Sequence, residues 1–240
     1  MDVSVIIPAR NEGGYIGSGL MMLEKQTFPG SWEVIVVDNA SDDHTGDIVR
    51  EAFPWVRVIE EPVPGVQRAR ERGRLAATGN ILAFLDADTI PSTQWIENGL
   101  RHFRESDIVA LTGPYLFFDG RFRDDTYAYL QRWLFFPFSK YVAEQSNMSL
   151  AFFANMFIRA DILAHELHGF DTSYTFDGDD VETATRLSWV GKVLYAQDMC
   201  VKTSARNFKK NGLVCTVHGH FRAAREVSQR FKRAHVRIST

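Results

Sequence analysis

The stretch 81-ILAFLDADTIP-91 decides how the rest of the chain is read. Ile81 to Leu85 are apolar without alternation, and the run stops at Asp86, Ala87 and Asp88, with Pro91 close behind. An unbroken apolar run bounded by turn residues marks a strand buried on both faces, as in parallel sheets covered by helices. Its two carboxylates then stand at the carboxyl end of the strand. Magnesium and manganese take oxygen ligands from one or two carboxylates while holding substrate phosphates, and the i, i+2 spacing lets Asp86 and Asp88 converge on one ion. The same short polar side chains also suit the cap of a following helix, whose pattern begins at Ser92.

The preceding residues supply the context. Residues 3–8 form a β-branched apolar run, after which Tyr15, Ile16, Leu20 and Leu23 recur at helical spacing. A second buried strand is predicted over 33–38, a helix over 45–52, a third strand over 56–60 and an Arg-rich helix over 67–78. The order βαβαβαβ implies a parallel sheet with right-handed crossovers, whose ligands bind outside the carboxyl ends of the strands. Three such ends carry polar clusters: Arg10-Asn11-Glu12, Asp38-Asn39 with Ser41, Asp42 and Asp43, and Asp86-Ala87-Asp88. They are expected to line one crevice. The chain has no GxGxxG and no GxxxxGK[ST], so a metal is left to hold phosphate.

Beyond the acidic pair, Trp95, Ile96, Leu100 and Phe103 mark a helix, and 108–116 and 152–158 read as further strands. Aromatic residues crowd between 117 and 145, among them Tyr127, Tyr129, Trp133, Phe135, Phe136, Phe138 and Tyr141. They read as a helix packed on the core, or alternatively as an acceptor groove or apolar patch. Gly178-Asp179-Asp180-Val181-Glu182 opens a helix with a stripe of Val181, Ala184, Leu187 and Val190. Acidic residues in a first turn favour the helix dipole, but three in four positions exceed what a cap needs.

Composition fits one soluble α/β domain: 240 residues, 45% hydrophobic and 24% charged, without a Pro/Gly/Ser-rich linker. No apolar run approaches the ~20 residues of a membrane span, and Met1 leads directly into a strand pattern, so a cytoplasmic location is expected. Cys200 and Cys215 lack metal-ligand spacing and read as buried or idle thiols. The net charge of −3 is unevenly spread: from Met199 onward ten Lys or Arg face Glu226 alone, leaving 17 basic and 29 acidic residues before it. In that basic segment Leu213, Val217, Phe221, Ala224 and Phe231 recur at helical spacing. The stripe either packs on the sheet or lets the helix lie on an anionic membrane surface, making the protein peripheral on the inner face. Nucleic acid is not expected as a partner, because the acidic remainder would repel it.

Together these stretches resemble the family 2 glycosyltransferases, inverting enzymes of the nucleotide-sugar-binding A-type fold. Pro8 to Glu12 looks like that family's first-strand motif, and VVDNASDDHT is similar to its VVDDGSTDGT, with Asn39, Ala40, Asp42 and His44 departing. Gly65, Ala69, Arg70 and Gly73 match its glycine and Ala-Arg helix. LDADT is similar to its DXD motif, Asn155 with Arg159 resembles its NMxxR element, and GDDVETATRL is like its GEDVDLSLRL. The resemblance implies a transferase domain over 1–198, with a nucleotide-binding half over 1–116 and an acceptor half over 117–198, followed by a basic helical extension over 199–240. It also implies a nucleotide base resting on Pro8, Arg10 and Glu12 with Asp38 accepting from the ring, and Arg70 near the base or phosphates. Asp86 would face the ribose or a metal-bound water, Asp88 would ligate Mn2+ or Mg2+, and Asp180, or Asp179 beside it, would be the catalytic base. His218 or His220 would be a late metal ligand. The expected reaction moves a sugar from a UDP- or GDP-sugar to a glycan, lipid-linked or small-molecule acceptor, through a hydroxyl or a lipid phosphate. The alternatives are a nucleotidyltransferase-like enzyme, which would want a glycine-rich, lysine-bearing phosphate loop, and a nucleotide-sugar-binding module without turnover.

Overall fold

The computed structural model describes residues 1–119, 133, 153–173, 178–211, 222, 225–227 and 229–231. The first half alternates as expected: β1 (Val3–Ala9), α1 (Ile16–Glu24), β2 (Trp32–Asp38), α2 (Thr45–Ala52), β3 (Arg57–Glu60), α3 (Val66–Ala76) and β4 (Ile81–Leu85). Then follow β5 (Thr89–Ile90), α4 (Trp95–Glu105), β6 (Ala110–Thr112), β7 (Tyr115–Phe117), β8 (Asn155–Arg159) and a π-helical turn (Ile162–Glu166). The described chain closes with α5 (Asp179–Val190), β9 (Val193–Tyr195), β10 (Val201–Thr203) and α6 (Arg206–Asn211).

Seven strands form the central sheet in the order β3-β2-β1-β4-β8-β6-β9. Only β8 runs against its neighbours, pairing antiparallel with β4 and β6, so the sheet is mostly parallel. Side chains alternate across it with period two. Val3, Val5 and Ile7 join one buried layer with Leu20 of α1, Val49 of α2 and Trp95 of α4. Ile6 joins the opposite layer with Ala69 of α3, Leu163 of the π-helical turn and Leu187 of α5. A sheet buried on both faces explains why β1 and β4 read as continuous apolar runs. Helix α3 sits close because of Gly73: a Cβ there would come 2.4 Å from Ile6 Cγ2.

Two expectations are corrected. The strand predicted over 108–116 is two strands in different sheets, separated at Gly113 and Pro114. Proline removes a ladder donor, and a Cβ at Gly113 would meet Met199 O at 2.1 Å, so the chain turns there against the backbone of another segment. The stripe expected on α5 is buried only at Ala184 and Leu187, with Val181 half-buried and Val190 38% exposed. The buried face carries Glu182, Thr183 and Thr185 instead, because it turns toward α3, where Gln67 Nε2 donates to Thr183 Oγ1 at 3.4 Å.

A second sheet, which sequence periodicity did not announce, has the order β5-β10-β7. The boundary expected at residue 198 falls just before β10, and β10 pairs antiparallel with β5 and parallel with β7. Residues 201–203 are thereby built into the turn that follows β4.

The loops after β1 and β2 are stitched together. Glu12 N donates to Thr45 Oγ1 at 2.9 Å, Gly13 N to Asp43 Oδ2 at 3.0 Å, and Asp42 N to Asn11 Oδ1 at 2.7 Å. This stitching holds Asn11, Ala40 and His44 at φ of 57°, 52° and 62°. Ala40 and His44 stand where the resembled motif has glycine, and the left-handed backbone supplies the reason, since a Cβ there costs roughly 1–2 kcal/mol. Ala40→Gly is therefore expected to stabilise the fold by about 0.5 kcal/mol, after the extra chain entropy of glycine is subtracted. A raised urea midpoint at constant slope supports this, and an unchanged or lowered midpoint rejects it.

Candidate functional site

A cavity of about 540 Å³ opens at the carboxyl ends of β1, β2 and β4, where a parallel sheet places its ligands. β1 and its loop bring Pro8, Arg10 and Glu12; β2 brings Asn39; α3 brings Arg70; and the turn after β4 brings Asp86 and Asp88. The first turn of α5 brings Asp179 and Asp180, and Tyr115, Phe117, Thr203, Ser204 and Arg206 complete the lining.

Asp38 does not line this cavity. Its carboxylate accepts from Ser41 N at 3.2 Å, in the loop that joins β2 to α2. Its neighbour Asn39 lines it instead, buried and satisfied at both ends of its amide. Nδ2 donates to Glu61 O at 3.0 Å and Val63 O at 2.8 Å, and Oδ1 accepts from Gly65 N at 2.7 Å. Asn39 thus fixes the loop leading into α3. Ser41 and Asp43 likewise serve the stitching of two loops rather than the cavity. His218, His220 and, except for Trp133, the aromatic residues between 127 and 141 lie outside the described residues, as do Leu213, Val217, Phe221 and Ala224.

Two guanidinium groups organise the carboxylates. Arg70 is buried beneath them: Nη1 donates to Asp179 and lies 3.6 Å from Asp180 Oδ1, while Nη2 lies 3.8 Å from Asp86 Oδ1. Its plane rests over the Phe153 ring at 4.1 Å, and Phe153 packs edge-on against Phe84 of β4 at 5.5 Å. The second group, Arg206, grips Glu12 with both Nη atoms and reaches Asp88 Oδ2 at 3.3 Å. No sequence signal links residue 206 to residues 12 and 88, and the sequence reading counted it only as part of the basic C-terminal segment.

The local field separates the carboxylates. Burial pushes the Asp86 carboxyl up to about 6, opposed by Arg70 and reinforced by Asp88, Asp179 and Glu12. Asp180 is raised well above the usual carboxylate range, first by burial and then by Asp179, against the attraction of Arg70. Burial also raises Asp88 and Glu12, with Arg206 opposing in both. The two members of the acidic pair on α5 are held differently. Asp179 is taken by Arg70, whereas Asp180 keeps 35% of its side chain exposed and receives a backbone hydrogen bond from Phe153.

Asn155 and Arg159 serve the frame behind the cavity. Trp95 Nε1 donates to Asn155 Oδ1 at 2.9 Å, Asn155 Nδ2 donates to Met199 O, and Arg159 Nε donates to Ile108 O at 2.8 Å.

Whether a divalent cation fits is a question of donor chemistry and charge. Among the described residues no three carboxylates, imidazoles or thiols gather into a complete protein metal site. Five carboxylates (Glu12, Asp86, Asp88, Asp179, Asp180) nevertheless face three guanidinium groups (Arg10, Arg70, Arg206) across the cavity. A phosphate-bearing ligand would deepen that negative excess, and hard cations bind through one or two carboxylates with phosphates completing the shell. The donor set at Asp86 and Asp88 therefore suits magnesium or manganese.

Comparison with known proteins agrees with this architecture. Residues 4–167 match the sequence model of Glycosyl transferase family 2. The chain is 33% identical over 214 residues to glycosyltransferase AglE of Haloferax volcanii, an alignment covering 86% of this chain and 68% of AglE. Among solved structures, mannosyltransferase PcManGT from Pyrobaculum calidifontis, in complex with GDP-Man and Mn2+, superposes with a TM-score of 0.65 at 26% identity, covering 85% of this chain and 56% of that one. Residues 1–349 of S. aureus TarS, in complex with UDP-GlcNAc, give a TM-score of 0.66 at 19% identity, covering 85% and 58%, a likeness of fold alone. This chain thus spans less than two thirds of both solved proteins.

Proposed function

This chain belongs to glycosyl transferase family 2, and from that membership we propose that it transfers a sugar, with inversion, from a UDP- or GDP-sugar to an acceptor hydroxyl or a lipid phosphate. The observation that carries the reading is the arrangement of one cavity: Asp86 and Asp88 at the end of β4, and Asp180 facing them from α5. The GDP-Man and Mn2+ bound by PcManGT support a nucleotide-sugar donor and a divalent cation.

In this reading Pro8, Arg10, Glu12 and Asn39 receive the nucleoside, with Asp38 supporting the loop behind it. Asp88, with Asp86 two residues before it, would hold the divalent cation. When bound there, a divalent cation would supply positive charge to offset the negative charge developing on the diphosphate leaving group. Arg70 occupies Asp179 and leaves Asp180 to the acceptor. Asp180 takes the proton from the acceptor hydroxyl, and its raised affinity for protons matches that task. A phosphate acceptor arrives already ionised and would make this proton transfer unnecessary.

The acceptor belongs to the same proposal. Arg222, Arg225 and Arg230 are exposed on the C-terminal segment, which supports an anionic membrane surface bearing a lipid-linked acceptor. No helix among the described residues is long and apolar enough to cross a membrane.

The nucleotidyltransferase alternative has little to rest on, because the loops after β1 and β2 are tied to one another by Thr45, Asp43 and Asn11 and carry no lysine. Isothermal titration with GDP-Man and UDP-GlcNAc, with and without manganese, tests the proposal. One donor is expected to bind only with the metal, and Asp88→Ala is expected to weaken that binding by about tenfold or more, as loss of a charge-assisted ligand does. Metal-independent binding, or unchanged affinity in Asp88→Ala, rejects the metal role of Asp88.

A further inference from the structure

Arg206 stands where charge and geometry make it a rival of the divalent cation. Its Nη1 donates to Glu12 Oε2 at 2.7 Å, its Nη2 to Glu12 Oε1, and the same Nη2 is 3.3 Å from Asp88 Oδ2. Asp88 Oδ1 accepts from the Thr203 hydroxyl at 3.2 Å. Both oxygens of the carboxylate best placed to ligate a metal are therefore engaged by one short segment, Thr203 to Arg206. The guanidinium is anchored independently of Asp88, by its fork onto Glu12 and by the Tyr15 ring 4.7 Å beneath it. Giving up Asp88 then costs Arg206 one contact and not its position.

We propose that Arg206 competes with the divalent cation for Asp88, and that it yields when a diphosphate arrives with the ion and offers the guanidinium a second anionic partner. The proposal rests on the donor-site reading given above. The physical basis is that two cations on one carboxylate repel at this distance, while a guanidinium is well matched to phosphate oxygens. The expected consequence is ordered loading: manganese alone binds poorly, and manganese with a nucleoside diphosphate binds well. Arg206 thus keeps the donor site from filling with metal in the absence of nucleotide.

The test is manganese binding by the full chain, followed by isothermal titration or by the electron spin resonance of the free ion. Arg206→Gln is expected to bind manganese alone about tenfold tighter than wild type, the scale of releasing one charge-assisted contact. Arg206→Lys, which keeps the charge and loses the fork, is expected to lie between them. Adding UDP or GDP should raise manganese affinity more in wild type than in Arg206→Gln. Thermal melts of all three proteins identify any variant that has lost its fold, and the remaining variant then carries the comparison. If a folded Arg206→Gln or Arg206→Lys binds manganese no tighter than wild type, the proposal is overturned. If neither UDP nor GDP binds wild type with manganese, the donor reading fails, while the manganese-alone comparison still decides the role of Arg206.

Discussion

Asp180→Asn is expected to slow transfer by about 10²-fold or more, the scale of a positioned base, while leaving donor affinity within about twofold of wild type. The amide has the shape of the carboxylate and accepts the same backbone hydrogen bond from Phe153, but it cannot take a proton. Donor affinity is expected to be spared because Asp180 stands on α5, outside the Asp86-Asp88 turn assigned to the cation. Asp179→Asn is expected to act mainly through stability, since Asp179 is the partner of Arg70. The pH profile gives a further check. A base must be ionised, and burial with Asp179 raises the Asp180 carboxyl, so the wild-type rate should fall on the acid side through that raised range. Nucleoside diphosphate release from whichever of GDP-Man and UDP-GlcNAc binds provides the assay, with water as acceptor. Full loss in Asp179→Asn beside an active Asp180→Asn would move the base to Asp179. Undiminished hydrolysis in both variants would reject either aspartate as the base.

Arg70→Leu is expected to lower stability by about 3 kcal/mol at pH 7.5, because removing one member of a buried ionic cluster strands the others. Arg70 lies among Asp86, Asp179 and Asp180, and its side chain is 5% exposed. Leucine keeps an apolar stem and loses the guanidinium, and with it the charge and the stacking on Phe153. The sign of the pH dependence separates charge from packing. Asp86 and Asp180 are raised by burial against the attraction of Arg70, so without Arg70 they bind protons more tightly still in the folded chain than in the unfolded chain. A folded state that holds the extra protons gains stability as pH falls. The deficit at pH 5 should therefore be smaller than at pH 7.5, as measured by urea unfolding. An equal deficit at both values would assign the loss to packing.

What was legible in the sequence follows from how far apart the interacting residues are. β1, β2 and β4 could be read because strands buried on both faces are apolar throughout, and α2 because its apolar spacing falls between turn residues. The apolar run over 108–116 hides its division into β6 and β7, for which Gly113-Pro114 is the one local signal of a break. Strands of two or three residues, such as β5 and β10, contain too few positions to show a period. In the cavity, Asp86, Asp88, Asp179 and Asp180 drew notice because acidic residues clustered at element ends are locally unusual. Arg206 drew none. Its partner Glu12 is 194 residues away, and only the pairing of β10 with β5 and β7 brings the two together.

That pairing also sets an order of events during synthesis. β1 to β4 can pair as soon as their residues are made, since each parallel crossover is short and local. The seven-stranded sheet then waits for β8, which runs between β4 and β6, and for its edge strand β9. The wall of the cavity waits longer still, for residues 201–206 to lay β10 between β5 and β7 and swing Arg206 onto Glu12. A nascent chain halted before that point has its nucleotide-side core in place, with Arg70 beside Asp86, while Asp88 lacks its countercharge. Completion of the ligand site is thus a late, long-range step, of the kind that slows folding and leaves the site dependent on the arrival of residues 201–206.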